Sequence, residues 1–85
     1  MSKYNWTRVN SDCNGNPRHV IHFLDLLTFE EKDLMPFNEQ YTYACKRANK
    51  IGGRKYHTKS YGGGIVFTTY SIPDTEKAIL DLLSQ

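Results

Sequence analysis

Gly52-Gly-Arg-Lys-Tyr-His-Thr-Lys-Ser-Tyr-Gly-Gly-Gly-Ile-Val-Phe-Thr-Thr-Tyr70 is the stretch on which the fold turns. A glycine pair opens it, then comes a basic run. A glycine triplet bends the chain, and a β-branched and aromatic run closes it. Such side chains suit a pleated surface, and glycine clusters punctuate strands. The reading is a β-hairpin: a strand over 54–60, a turn near 61–64 and a strand over 64–70. Side chains alternate along a strand, so Lys55, His57 and Lys59 share one face, and Tyr56 and Thr58 the other.

Immediately upstream, Phe37, Tyr41, Ala44, Ala48 and Ile51 recur three or four residues apart, as along one face of an α-helix. Asn38 is placed to cap its start, and Gly52 to supply a left-handed stop. Thr42, Lys46, Asn49 and Lys50 then face water. Before this helix, Thr28-Phe-Glu-Glu31 fits a capping box, and Pro36 limits the helix begun there to one or two turns. After the hairpin, Ser71-Ile-Pro-Asp74 reads as a capped helix start with proline in its first turn. Ile72, Thr75, Ile79, Leu82 and Leu83 form the buried stripe of that last helix.

The N-terminal part reads as a second hairpin. Tyr4 to Ser11 favours a strand, and Asn14-Gly15 suggests a type I′ turn. Arg18 to Leu27 carries apolar residues on both parities, as a strand near the middle of a sheet does; a buried helix is the rival reading. The order is hairpin, helix, hairpin, helix. The expected architecture is one α+β domain over residues 1–85, with a four-stranded, mainly antiparallel sheet and two helices on one face in the order ββαββα. That arrangement leaves the opposite face of the sheet uncovered.

Eighty-five residues support a single modest core. Two cysteines, Cys13 and Cys45, read as reduced thiols with no disulfide. The N-terminus carries no signal-type apolar core, and no apolar run is long enough to span a bilayer, so a soluble protein without membrane contact is expected. Net charge is +2, but its distribution is uneven. Asp25, Glu30, Glu31, Asp33 and Glu39 fall between 25 and 39 with a single lysine. Lys46, Arg47, Lys50, Arg54, Lys55 and Lys59 fall between 46 and 59 with no acid. The result is one basic zone if the fold keeps these segments apart.

Catalytic and metal signatures are absent from the sequence. Cys13, His19, His22, Cys45 and His57 lack zinc-site spacing. Cys13 and His19 have no third orienting group, and Ser60 and Ser71 sit in no nucleophile elbow. Gly62-Gly63-Gly64 lacks the Gly-Lys-Ser/Thr of a P-loop. No enzyme activity, cofactor or metal is expected. Nucleic-acid contact has more support, because basic residues interleave with Tyr56, His57, Tyr61, Phe67 and Tyr70. Lys59-Ser-Tyr-Gly-Gly-Gly-Ile-Val-Phe67 loosely resembles the central strand motif of RNA-recognition domains, and Ile21 to Leu26 their first-strand motif. The match has one glycine too many and puts His22 where a stacking ring belongs.

Gly15-Asn-Pro-Arg18, His22-Phe23, Gly52-Gly-Arg-Lys-Tyr56 and Gly62-Gly-Gly-Ile-Val-Phe67 with Tyr70 together resemble the pattern of small accessory proteins of tailed phages and prophages. The resemblance spans most of the chain, and its motifs are backbone and packing signals. It implies a binding protein of the host-cell cytoplasm, in a group that includes blockers of host defence such as anti-CRISPR proteins. It assigns no functional residue.

The expected function is non-enzymatic binding and inhibition of a host nucleic-acid-handling protein or nucleoprotein complex. The expected contact zone is Lys46, Arg47, Lys50, Arg54, Lys55 and Lys59, with Tyr56, His57 and Tyr61 as anchors. The alternative is direct binding of single-stranded RNA or DNA on the open sheet face.

Overall fold

A computed structural model describes residues 4–84. Strands β1 (Thr7–Val9), β2 (Arg18–His22), β3 (Gly53–Tyr56) and β4 (Gly64–Thr68) form one antiparallel sheet in the order β1-β2-β4-β3. Helices α1 (Phe29–Leu34) and α2 (Phe37–Asn49) lie between the two strand pairs in sequence, and α3 (Ile72–Leu83) comes after the last strand. The ββαββα order and the α+β class expected from the sequence are those of the molecule.

The sheet centre is the pair β2–β4, with Val20 opposite Val66 and Ile21 opposite Ile65. Successive side chains point to opposite faces. Ile21, Ile65 and Phe67 join Ala44 and Ala48 of α2 and Ile79 of α3 in one core. Small residues on α2 bring the helix close to the sheet. A Cβ on Gly53 would lie 2.7 Å from the Ala48 Cβ and 2.9 Å from the Phe67 ring. The bare Gly53 backbone is thus the surface on which α2 rests against β3.

Several local expectations hold. Thr28 Oγ1 accepts from the Glu31 amide at 3.2 Å, and the Glu31 carboxylate accepts from the Thr28 amide at 2.8 Å, a complete capping box. Ser71 caps α3 by accepting from the Asp74 amide. Gly52 has φ +89°, the left-handed backbone expected after α2.

Others change. The first strand is confined to Thr7–Val9. Its hairpin does not use a type I′ turn, because Gly15 alone at that turn has positive φ. Asp12 holds the turn instead. Its Oδ1 accepts from the Asn14 and Asn16 amides at 2.9 Å each, and its carbonyl from the Gly15 amide at 3.0 Å. The strand expected over 18–27 ends at His22, and Phe23–Leu26 form a 3₁₀ turn. The His22 ring nitrogen caps that turn by accepting from the Leu24 amide at 3.3 Å. Apolar residues of both parities there serve a strand and then a turn, each with buried members.

Helix α2 starts one residue before the expected cap, with Pro36 at the cap position and no side-chain cap. Asn38 lies inside the first turn. Phe37, expected in the buried stripe, is 73% exposed. It sits at the first helical position and meets the Phe23 ring edge-to-face. Gln40 is buried instead, its amide donating to the carbonyls of Lys32 and Met35 at 3.0 Å each. That pair of bonds ties the end of α1 to α2.

Candidate functional site

The second hairpin is shorter than expected, and this moves the candidate contact residues. β3 ends at Tyr56, opposite Gly64. Residues 57–63 form a loop with its own turn: the Thr58 amide donates to the Tyr61 carbonyl, and the Tyr61 amide to Thr58 Oγ1, both at 2.9 Å. Lys55 therefore remains on a strand, while His57 and Lys59 leave its face and lie, exposed, on the loop.

The basic side chains separate into those facing water and one turned inward. Lys46 and Lys50, four residues apart on the solvent side of α2, line a shallow cleft with Tyr43, Arg47 and Leu82. Arg54 is exposed and donates to Asn49 Oδ1 at 3.0 Å, beside the C-terminal end of α2. The Lys55 ammonium lies 5.2 Å over the Tyr41 ring. Lys46 and Lys50 thus lie on the outer side of α2, Arg54 beside its C-terminal end and Lys55 on the edge strand β3, three positions together termed the arc. Arg47 reaches the same cleft as Lys46 and Lys50, but its charge is paired. Its guanidinium donates to both Glu31 carboxylate oxygens at 2.6 Å, to the Leu26 carbonyl at 2.9 Å and to the Tyr43 hydroxyl at 3.0 Å. This is the one ion pair among the described residues, so no described carboxylate neutralises the arc.

The face of the sheet away from the helices, expected open, is partly roofed. Val20 and Val66 lie on it and are buried. A Cβ on Gly64 would meet both the Tyr61 ring and Val20 Cγ1 at 2.8 Å, so Tyr61 folds back over the strand pair. Tyr56 packs edge-to-face against Tyr61, ring centroids 6.1 Å apart. Both tyrosines are half-buried. Burial raises the Tyr61 hydroxyl above its ordinary pKa, with the Asp25 carboxylate adding to the effect. Phe67, read from sequence as a stacking ring, belongs to the core on the other face. Tyr70 is exposed and bonds Asn16 through its hydroxyl, joining the segment after β4 to the turn before β2.

A feature that no sequence pattern announced appears at the end of the sheet. His22, Phe23, Phe37, Asn38, Tyr41, His57 and the Gly62–Gly63 backbone line a groove of about 420 Å³. Its floor is a stack of rings. Phe23 lies between His22, centroids 4.7 Å apart, and Tyr41 at 5.1 Å, both tilted by less than 40°. The Tyr41 hydroxyl meets the Tyr56 and Gly64 carbonyls at 3.0 Å each, locking α2 to the hairpin. The exposed Phe37 forms one wall and His57 the other. Phe37 at helical spacing read as core, and His57 at strand spacing read as a strand residue, so neither pointed to a groove.

Nucleophile and metal readings gain nothing from the geometry. Cys13 is exposed in the first turn, and Cys45 is half-buried with its thiol raised by burial, away from the reactive thiolate. The two cysteines are unpaired. Among the described residues, no three metal-type side chains converge, and no helix is long and apolar enough to cross a membrane.

A family model described as Staphylococcus phage terminal repeat-encoded protein TreK matches residues 2–85 of the chain. Comparison with curated proteins and with solved structures finds no match.

Proposed function

The chain belongs to the Staphylococcus phage terminal repeat-encoded TreK family, and on that premise we propose that it is a non-enzymatic phage accessory protein that binds and occludes a host nucleic-acid-handling protein. The supporting observation is the arc of Lys46, Lys50, Arg54 and Lys55, exposed and unneutralised by any described carboxylate. Lys59 extends it along the loop. Such a surface suits a partner with an acidic face. It accelerates encounter and selects the partner by charge.

Direct binding of single-stranded nucleic acid has weaker support. Stacking needs ring faces open to solvent. Tyr56 and Tyr61 are packed against one another over the sheet and Phe67 is in the core, which leaves Tyr70 and His57 as the exposed rings of that set.

Capture from a Staphylococcus lysate tests the proposal, with the full chain as bait and with and without nuclease. A stoichiometric protein partner that survives nuclease supports it. Loss of all captured protein on nuclease treatment, together with steeply salt-dependent binding to unrelated oligonucleotides, transfers the function to direct nucleic-acid contact.

A further inference from the structure

We propose that the groove between Phe37 and His57 seats a large apolar side chain from an acidic segment of the protein partner. This rests on the protein-binding role proposed above and names what the partner must present. The groove has the size and mainly apolar lining of a site that encloses one ligand group. It also exposes apolar surface that the fold does not require. Phe37 is 73% exposed, with only an edge contact to Phe23.

The ring geometry selects the class of occupant. Phe23 is sandwiched between His22 and Tyr41, and the Lys55 ammonium stands over the Tyr41 ring. The floor rings Phe23 and Tyr41 have their faces covered, and the exposed Phe37 and His57 rings at the sides suit an inserted aliphatic or aromatic side chain. Charge selects the flanks. Lys55 stands over the Tyr41 ring that lines the groove, and Lys59 lies on the same loop as His57; an acid, Asp25, also lies close enough to His22 for their charges to interact. Neither lysine is within ion-pair distance of a described carboxylate. A leucine or phenylalanine flanked by aspartate or glutamate therefore complements both the floor and the rim. The bare Gly62 backbone lets such a segment approach closely, while the space beside Gly63 is taken by the Phe23 ring.

The test uses the full-length, isotope-labelled protein and short synthetic peptides. One has a central phenylalanine flanked on both sides by aspartates. The controls replace that phenylalanine by alanine, or the aspartates by lysines. The expected result is that the acidic phenylalanine peptide shifts the amide signals of Phe37, Tyr41, His57, Gly62 and Gly63, and that neither control does. Phe37→Ser, which removes the exposed ring and its edge contact with Phe23, weakens this binding about tenfold through loss of one aromatic anchor, with the amide signals of Ile21, Ile65 and Ile79 unmoved as the check on the core. Lys55→Glu also weakens it, with the amide signals away from the substitution unmoved. Unshifted groove signals, equal shifts from the lysine-flanked peptide, or shifts from an oligothymidylate in place of the acidic peptide overturn the proposal. Failure here with lysate capture intact removes the groove and leaves the basic arc; failure of capture alone removes the partner and leaves the groove.

Discussion

Arg47 and Glu31 meet through two parallel hydrogen bonds of 2.6 Å, joining α2 to the first turn of α1. Bidentate guanidinium–carboxylate pairs are among the strongest polar contacts in proteins. The Arg47 side chain is 13% exposed and that of Glu31 21%, so water screens the pair only partly. The Arg47 guanidinium holds the Glu31 carboxyl at a pKa of about 2, below its ordinary 4.5. A carboxyl whose pKa is depressed by folding stabilises the protein fully above the ordinary value, and that contribution is lost as pH falls toward the depressed one. Urea unfolding midpoints should therefore drop between about pH 5 and pH 2, and Glu31→Gln should flatten the profile. At neutral pH, Glu31→Gln should cost about 1–3 kcal/mol, the range for a charged hydrogen-bond partner removed from a half-buried site.

Gly53 offers a second test, because its lack of a side chain sets the distance from α2 to the sheet. Gly53→Ala places a methyl 2.7 Å from the Ala48 Cβ and against Phe67. Overfilling a packed interface of this kind costs about 1–3 kcal/mol. Thermal unfolding should show that loss, and Ala48→Gly in the same chain should recover part of it by vacating the methyl opposite.

His19 carries the third prediction. Its Nδ1 is buried with no hydrogen-bond partner, and its ring meets Trp6 edge-on. Burial lowers its pKa from the ordinary 6.5, and the Arg8 charge lowers it further. The folded state thus prefers the neutral ring. Its contribution is present above about pH 6.5 and lost as pH falls through the depressed value. The stability of the wild type should decline on acidification from neutral pH, and His19→Phe, which keeps the ring packing, should decline less over the same range.

Most of the scaffold was legible because its signals are local. The Thr28–Glu31 box, the Ser71 cap, the Ala44–Ala48 stripe and the left-handed Gly52 each depend on residues within a few positions of one another. What was hidden depends on contacts between distant segments. The Gly62–Gly64 run reads as a tight turn. In the structure the second strand starts at Gly64 as expected, but the first ends at Tyr56 instead of running to 60, and the Gly63 carbonyl accepts the Phe23 amide at 2.9 Å. With β3 ending at Tyr56, His57 and Lys59 are off the strand, and His57 joins the groove lining. Arg47 was likewise indistinguishable from Lys46 and Lys50 by composition. Only the placement of α1 brings Glu31 to it and withdraws it from the exposed arc. The tyrosine roof over Val20 also depends on the loop folding back, which no spacing rule conveys.

The exposed arc carries the functional account, and the double charge reversal Lys46→Glu with Lys50→Glu tests it most directly. Both side chains face water and pair with no described carboxylate. The variant should keep the thermal midpoint of the wild type within about 4 °C, because exposed substitutions of this kind change stability little. In parallel lysate captures, the account predicts that the nuclease-resistant partner recovered by the wild type is lost from the folded variant. Undiminished capture by that variant would contradict it.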